Sequence, residues 1–124
     1  MLIENMICND ELDLSNKTEG TIFRYCKFED FKIDGKSFDA VFLHCELINL
    51  DWYWGLFNGC IFIDTRFESC EFHGTNFADC RFLNCEFEDC QFLQDNLQSG
   101  CSFTGSLWFG CKEVSCIGFP EHAM

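Results

Sequence analysis

From Phe57 onward a phenylalanine stands at every fifth position: Phe57, Phe62, Phe67, Phe72, Phe77, Phe82, Phe87 and Phe92. The phase runs back through Trp52, Leu47 and Phe42 and forward to Leu97, giving twelve consecutive pentads with a large apolar residue at the centre. Helical faces recur every 3.6 residues and strand faces every 2, so a period of five fits neither. If residues i and i+5 both point inward and the chain keeps turning the same way, it traces a square. Four pentads then form one coil of roughly 20 residues, and coils stack at the strand spacing of about 4.8 Å.

A second column lies two residues before each centre: Ala40, Cys45, Leu50, Gly55, Cys60, Thr65, Cys70, Thr75, Cys80, Cys85, Cys90 and Asp95. Most of these are small, which suits a corner with little room. A block in another phase comes first, with Phe23, Phe28, Ile33 and Phe38 at its centres. One residue is missing where the two blocks meet, near 39–41, and one is gained after Leu97, with Gly100 the expected insertion near 98–100. Cys101-Ser-Phe103 resumes the pattern, which fades beyond Trp108. A solenoid needs its open ends covered. Residues 1–20 are expected to form one cap, using Leu2, Ile3, Met6, Ile7, Leu12 and Leu14. Residues 109–124 are expected to form the other, using Phe109, Val114, Ile117 and Phe119.

The small-polar-large-x-x pattern, clearest in Cys70-Glu-Phe72, Cys80-Arg-Phe82, Cys85-Glu-Phe87 and Cys90-Gln-Phe92, resembles the pentapeptide-repeat family over residues 21–108. The resemblance implies an all-β fold, a right-handed quadrilateral parallel β-helix of about 5–6 coils, in one domain spanning 1–124. Cys replaces the family's commoner Ala, and Phe its commoner Leu; both are packing substitutions.

The chain carries 21 acidic and 8 basic side chains in 124 residues, a net charge of −13. Such a protein is repelled by nucleic acid and by anionic membrane surfaces. Its 17% aromatic content excludes an acidic disordered chain. The 11 cysteines are odd in number and regular in spacing, and no basic, apolar leader precedes them, so a reducing, cytoplasmic compartment is expected rather than a disulfide scaffold. No apolar run approaches a membrane span of roughly 20 residues. The C-x4-C spacing is not that of paired zinc ligands, and the cysteines fall on the inward column. No phosphate-binding glycine loop is present. His44 and His73 fall at outward positions and His122 in the tail, without a nucleophile–base arrangement. We therefore expect no catalysis, no cofactor and no bound metal.

Function should lie on the outward positions. Residues one coil apart share a face. One face carries Val41, Leu43, Ile61, Ile63, Arg81 and Leu83, an apolar stripe of the kind that marks a contact surface unless a terminal segment covers it. The next carries Glu46, Ile48, Arg66, Glu68, Glu86 and Glu88 with Asp89 at its corner, a mainly acidic stripe. A third carries Asp51, Tyr53, Glu71 and His73 with Trp54 at its corner, where Tyr53 and Trp54 are candidate aromatic anchors. The candidate contact residues are thus Glu46, Glu68, Glu86, Glu88, Asp89, Val41, Leu43, Ile61, Ile63, Leu83, Tyr53 and Trp54. Size and charge fit a small monomeric immunity protein that neutralises a bacterial toxin such as a basic nuclease. The family resemblance implies an alternative, a DNA-mimicking protein that binds or protects DNA gyrase or topoisomerase. A generic interaction scaffold is a third. The gyrase-directed members are long acidic rods, whereas about six coils here span roughly 30 Å, and no projecting loop is evident in the sequence.

Overall fold

The computed structural model describes residues 1–120. The chain is a four-sided parallel β-solenoid of about five coils. One full coil consists of Glu46–Ile48, Asp51–Tyr53, Leu56–Asn58 and Ile61–Ile63. In each three-residue strand the middle side chain points inward and its neighbours outward, because strand side chains alternate. Face 1 stacks Leu2–Glu4, Glu19–Arg24, Ser37–Leu43, Ile61–Ile63, Arg81–Leu83 and Leu107–Phe109. Face 2 stacks Ile7–Cys8, Lys27–Glu29, Glu46–Ile48, Arg66–Glu68, Glu86–Glu88 and Lys112–Val114. Face 3 stacks Lys32–Asp34, Asp51–Tyr53, Glu71–His73 and Gln91–Leu93. Face 4 is formed by the start of Ser37–Leu43 with Leu56–Asn58 and Asn76–Ala78.

In-register stacking aligns identical rings at the strand spacing. Phe42, Phe62, Phe82 and Trp108 form one column, with successive centroids 4.8, 4.9 and 4.0 Å apart and planes within 6°. Phe57, Phe77 and Phe103 form another, at 4.9 and 5.2 Å. Rings on adjacent faces meet steeply, as Phe72 does Phe77 at 69°. The core therefore combines stacked and edge-on aromatic geometries.

The small column does more than fill corners. Most of the buried thiols and hydroxyls donate to the carbonyl of a central residue one coil below; Thr75 Oγ1 is buried without a partner. Cys70 donates to Leu47 at 3.2 Å, Cys80 to Phe57 at 3.2 Å, Cys85 to Phe62 at 3.3 Å and Cys90 to Phe67 at 3.4 Å. Thr65 to Phe42 and Ser106 to Phe77 repeat the contact with oxygen donors, at 3.2 and 2.8 Å. Burial pushes the Cys45 thiol up to about 12. Hydrogen bonding from a stacked partner thiol, together with burial, raises Cys60, Cys85 and Cys90. All 11 cysteines are free thiols.

The corner after most strands takes a positive φ, which explains the Asn, Asp and Gly there: Asn49, Asp64, Asp79, Asn84 and Asp89 all lie between 49° and 54°. Tyr25, His44 and Trp54 adopt the same angle despite their bulk.

The missing residue near 39–41 is absorbed without a corner. Ser37–Leu43 runs straight from face 4 into face 1, and the partner strand bulges between Glu19 and Thr21. Gly20, at φ +62°, is the extra residue there. The later break is larger than the sequence suggests. Phe103, not Leu97, stacks on Phe77, and Leu97 is 77% exposed. Six residues, not one, are thus inserted, forming a loop at the corner between faces 3 and 4. This corrects the expectation of no projecting loop.

The ends also differ from expectation. Residues 1–20 already contain rungs, with Ile3 paired to Phe23 and Cys8 to Phe28. A short 3-10 turn, Glu11–Leu14, takes the place of the third strand and drops Leu14 into the core. Leu2, Ile7 and Leu12 are exposed. At the other end Phe109, Val114 and Ile117 point outward and are exposed. Of the expected cap residues, all of them among those described, Phe119 alone closes the core, packing on Phe87, Trp108 and Phe92 at 5.1, 5.5 and 5.9 Å. Glu113 occupies the inward position beneath Phe87 and accepts a hydrogen bond from the Cys116 backbone at 3.0 Å. His122 lies outside the described residues.

Candidate functional site

Face 1 carries two outward columns. The first runs Leu2, Ile22, Val41, Ile61, Arg81, Leu107 and the second Glu4, Arg24, Leu43, Ile63, Leu83, Phe109. The expected stripe of Val41, Leu43, Ile61, Ile63 and Leu83 is therefore continuous, and it is longer than the sequence showed. Ile22, Leu107 and Phe109 are 39%, 46% and 53% exposed. Among the described residues neither terminus lies across it: Leu2–Glu4 is one of its rungs, and Phe119 is engaged with core rings. Sequence reasoning missed Ile22, Leu107 and Phe109 because the two breaks shift them out of the main phase.

Face 2 is less acidic than its sequence stripe suggests. Its first column alternates in sign: Lys27, Glu46, Arg66, Glu86, Lys112. Arg66 gathers three of the predicted carboxylates, at 2.8 Å from Glu88, 3.0 Å from Glu68 and 4.0 Å from Glu46. Hydrogen bonding to Glu88 and the charge of Glu68 hold the Arg66 guanidinium above its ordinary range. Half-exposed pairs of this kind are screened and hold little energy individually, but they occupy the carboxylates. Glu86 and Asp89 are exposed and outside this cluster. Asp89 and Asp30, on the same corner, leave the edge between faces 2 and 3 negative, while Glu86 stands on the side of face 2 nearer face 1.

Face 3 carries Asp51, Tyr53, Glu71 and His73 as the sequence period implies, and the structure adds the contacts between them. The rung register sets Asp51 beside Glu71 and Tyr53 beside His73. Tyr53 stacks on the His73 ring at 4.2 Å and 4°. His73 Nε2 lies 3.2 Å from Asp51 Oδ1. Trp54 is pinned rather than free: its indole N–H donates to Asp95 Oδ2 at 2.8 Å. Asp95 also accepts from the backbone of Leu97 at 2.8 Å and Ser99 at 2.9 Å, which shapes the inserted loop. These bonds, the Ser99 N–H foremost, hold its carboxyl below the usual range. The loop rests on Gly74, where a Cβ would stand 2.6 Å from Asp95 Oδ2. A groove of about 290 Å³, lined by Asp30, Phe31, Lys32, Asn49, Asp51 and Glu71, opens on this face. No helix among the described residues is long and apolar enough to cross a membrane.

No family profile and no curated protein sequence matches the chain. In fold it is similar to full-length QnrB1, a plasmid-mediated fluoroquinolone resistance protein, at 10% identity over 94% of this chain and 70% of that one, with a TM-score of 0.59. A trypsin-treated variant of QnrB1 aligns at 15% identity over 93% of this chain and 67% of that one, with a TM-score of 0.47.

Proposed function

We propose, starting from the chain being a pentapeptide-repeat protein, that it is a non-catalytic binding protein for a DNA-acting enzyme of the gyrase or topoisomerase class. The observation that carries this reading is the apolar stripe of face 1, uncovered among the described residues, lying beside the charged face 2. Face 1 is roughly 30 Å long and 10 Å wide, or about 300 Å². That is well short of the ~800 Å² per partner of a stable interface. A partner seated on face 1 must therefore also cover face 2 or the edge beyond it. An enzyme with a basic DNA groove satisfies both demands: apolar burial gives affinity, and Glu86, Asp89 and Asp30 steer association.

The fold likeness to a fluoroquinolone resistance protein favours gyrase over a toxin. The toxin-neutralising reading rests on size and charge alone. The test is gyrase supercoiling under a fluoroquinolone, with and without the protein. Preserved supercoiling at stoichiometric protein, weakened by Ile63→Asp, supports the proposal. Absence of both binding and effect defeats it, and co-purification of a small basic toxin from the host would restore the immunity reading.

A further inference from the structure

Asp51, Glu71 and His73 lie on two adjacent rungs of face 3, outside the stripe assigned to partner binding. One ligand atom from each can be placed so that all three lie within 4.8 Å of one another. The geometry follows from the strand. Glu71 and His73 flank the inward Phe72, so both point outward, and Asp51 is the rung neighbour of Glu71. Two features separate this set from an ordinary exposed cluster. First, Asp51 Oδ1 is buried and has no hydrogen-bond partner, although His73 Nε2 stands 3.2 Å away without the alignment of a hydrogen bond. The Asp51 side chain as a whole is 26% exposed, so it is this one oxygen, with only the His73 nitrogen beside it, that lacks solvent or a donor. Second, the His73 side chain is only 15% exposed, and its ring is held face to face by Tyr53.

We propose that these three residues bind a divalent cation of the zinc class. Imidazole nitrogen with carboxylate oxygen is a donor set for Zn²⁺ and its borderline neighbours. Two ligands at about 2.0–2.1 Å from a tetrahedral ion stand about 3.3 Å apart, which matches the Asp51–His73 separation of 3.2 Å. The ion would satisfy Asp51 Oδ1. Glu71 is exposed and long enough to swing onto it. The fourth position would open to water at the groove, where Asp30 and Asn49 offer further oxygens; Lys32, on the rung below Asp51, is exposed at its margin. The ion would fasten two successive coils.

The test is titration of the full chain with Co²⁺ alone under reducing conditions. The expected result is one ion per chain, a spectrum without sulfur-to-cobalt charge transfer, and paramagnetic broadening of the His73 imidazole signals. His73→Gln or Asp51→Asn should weaken binding at least ~10-fold, and His44→Gln should leave it unchanged. A thiolate band, no binding, or equal affinity in the His73 variant would overturn the assignment. The wild-type spectrum and the broadening decide the matter even if a variant fails to fold.

Discussion

At the scale of single residues, the small column shows why cysteine suits this chain. A thiol is compact enough for the corner and still donates to a carbonyl one coil below. Cys70→Ser keeps a donor to the Leu47 carbonyl, whereas Cys70→Ala leaves that carbonyl without its thiol partner and opens a small void. Denaturant unfolding should find the alanine variant less stable than the serine variant by about 1 kcal/mol. Asp95 offers a second residue-level prediction. Its carboxyl is held low by the Ser99 N–H, the Trp54 indole and the Leu97 N–H. Because the folded state prefers the ionised form, this contribution is present above the ordinary carboxylate range of about 3.9 and is lost as pH falls below it. The Trp54 indole proton resonance should therefore shift as pH drops below about 4. Asp95→Asn should abolish that titration; an unchanged one would mean another group moves the indole.

At the scale of elements, the two breaks are accommodated differently. The one-residue deficit is spread along an extended strand facing a bulge. The six-residue surplus is gathered into one loop, because a parallel ladder takes up a single extra residue as a bulge but has room for six only at a corner. Deletion of residues 95–100 would place Cys101, Ser102 and Phe103 in regular spacing after Phe92. With Gln94→Asn supplying a corner residue that tolerates positive φ, the shortened chain should keep its far-ultraviolet circular dichroism. The loop then has no structural duty beyond restraining Trp54. Collapse of the β signal on deletion would show that the loop holds the last coil in place.

At the scale of the whole molecule, charge is partly compensated where the sequence looks most acidic. Reversing Glu68 and Glu88 would break up the Arg66 cluster and confuse steering with local repacking. Glu86→Lys with Asp89→Asn avoids that and keeps a residue that tolerates the positive φ of the corner. Against gyrase, this pair should slow association at least ~10-fold at low salt and flatten its salt dependence, with dissociation little changed. Ile63→Asp should do the reverse, raising the dissociation rate through the apolar stripe. Equal kinetics in both variants would remove faces 1 and 2 from the interface.

The five-residue period by itself determined the solenoid, its four sides, the inward rings and the column of small residues, because inward spacing is a local property repeated along the chain. It also placed Val41, Leu43, Ile61, Ile63 and Leu83 on one face, since four regular pentads return a residue to its own column. The tertiary structure alone decided everything that depends on the count of residues between rungs. Phe103 replaced Leu97 under Phe77, and Leu107 and Phe109 joined the apolar stripe, only once the six extra residues had looped out. Contacts between coils were equally hidden. Arg66 reaching Glu88, the thiols reaching carbonyls, Trp54 reaching Asp95 and His73 reaching Asp51 all link residues 20 or more apart. A sequence period fixes which face a side chain shares, but side-chain length and rotamer decide which neighbour on that face it meets.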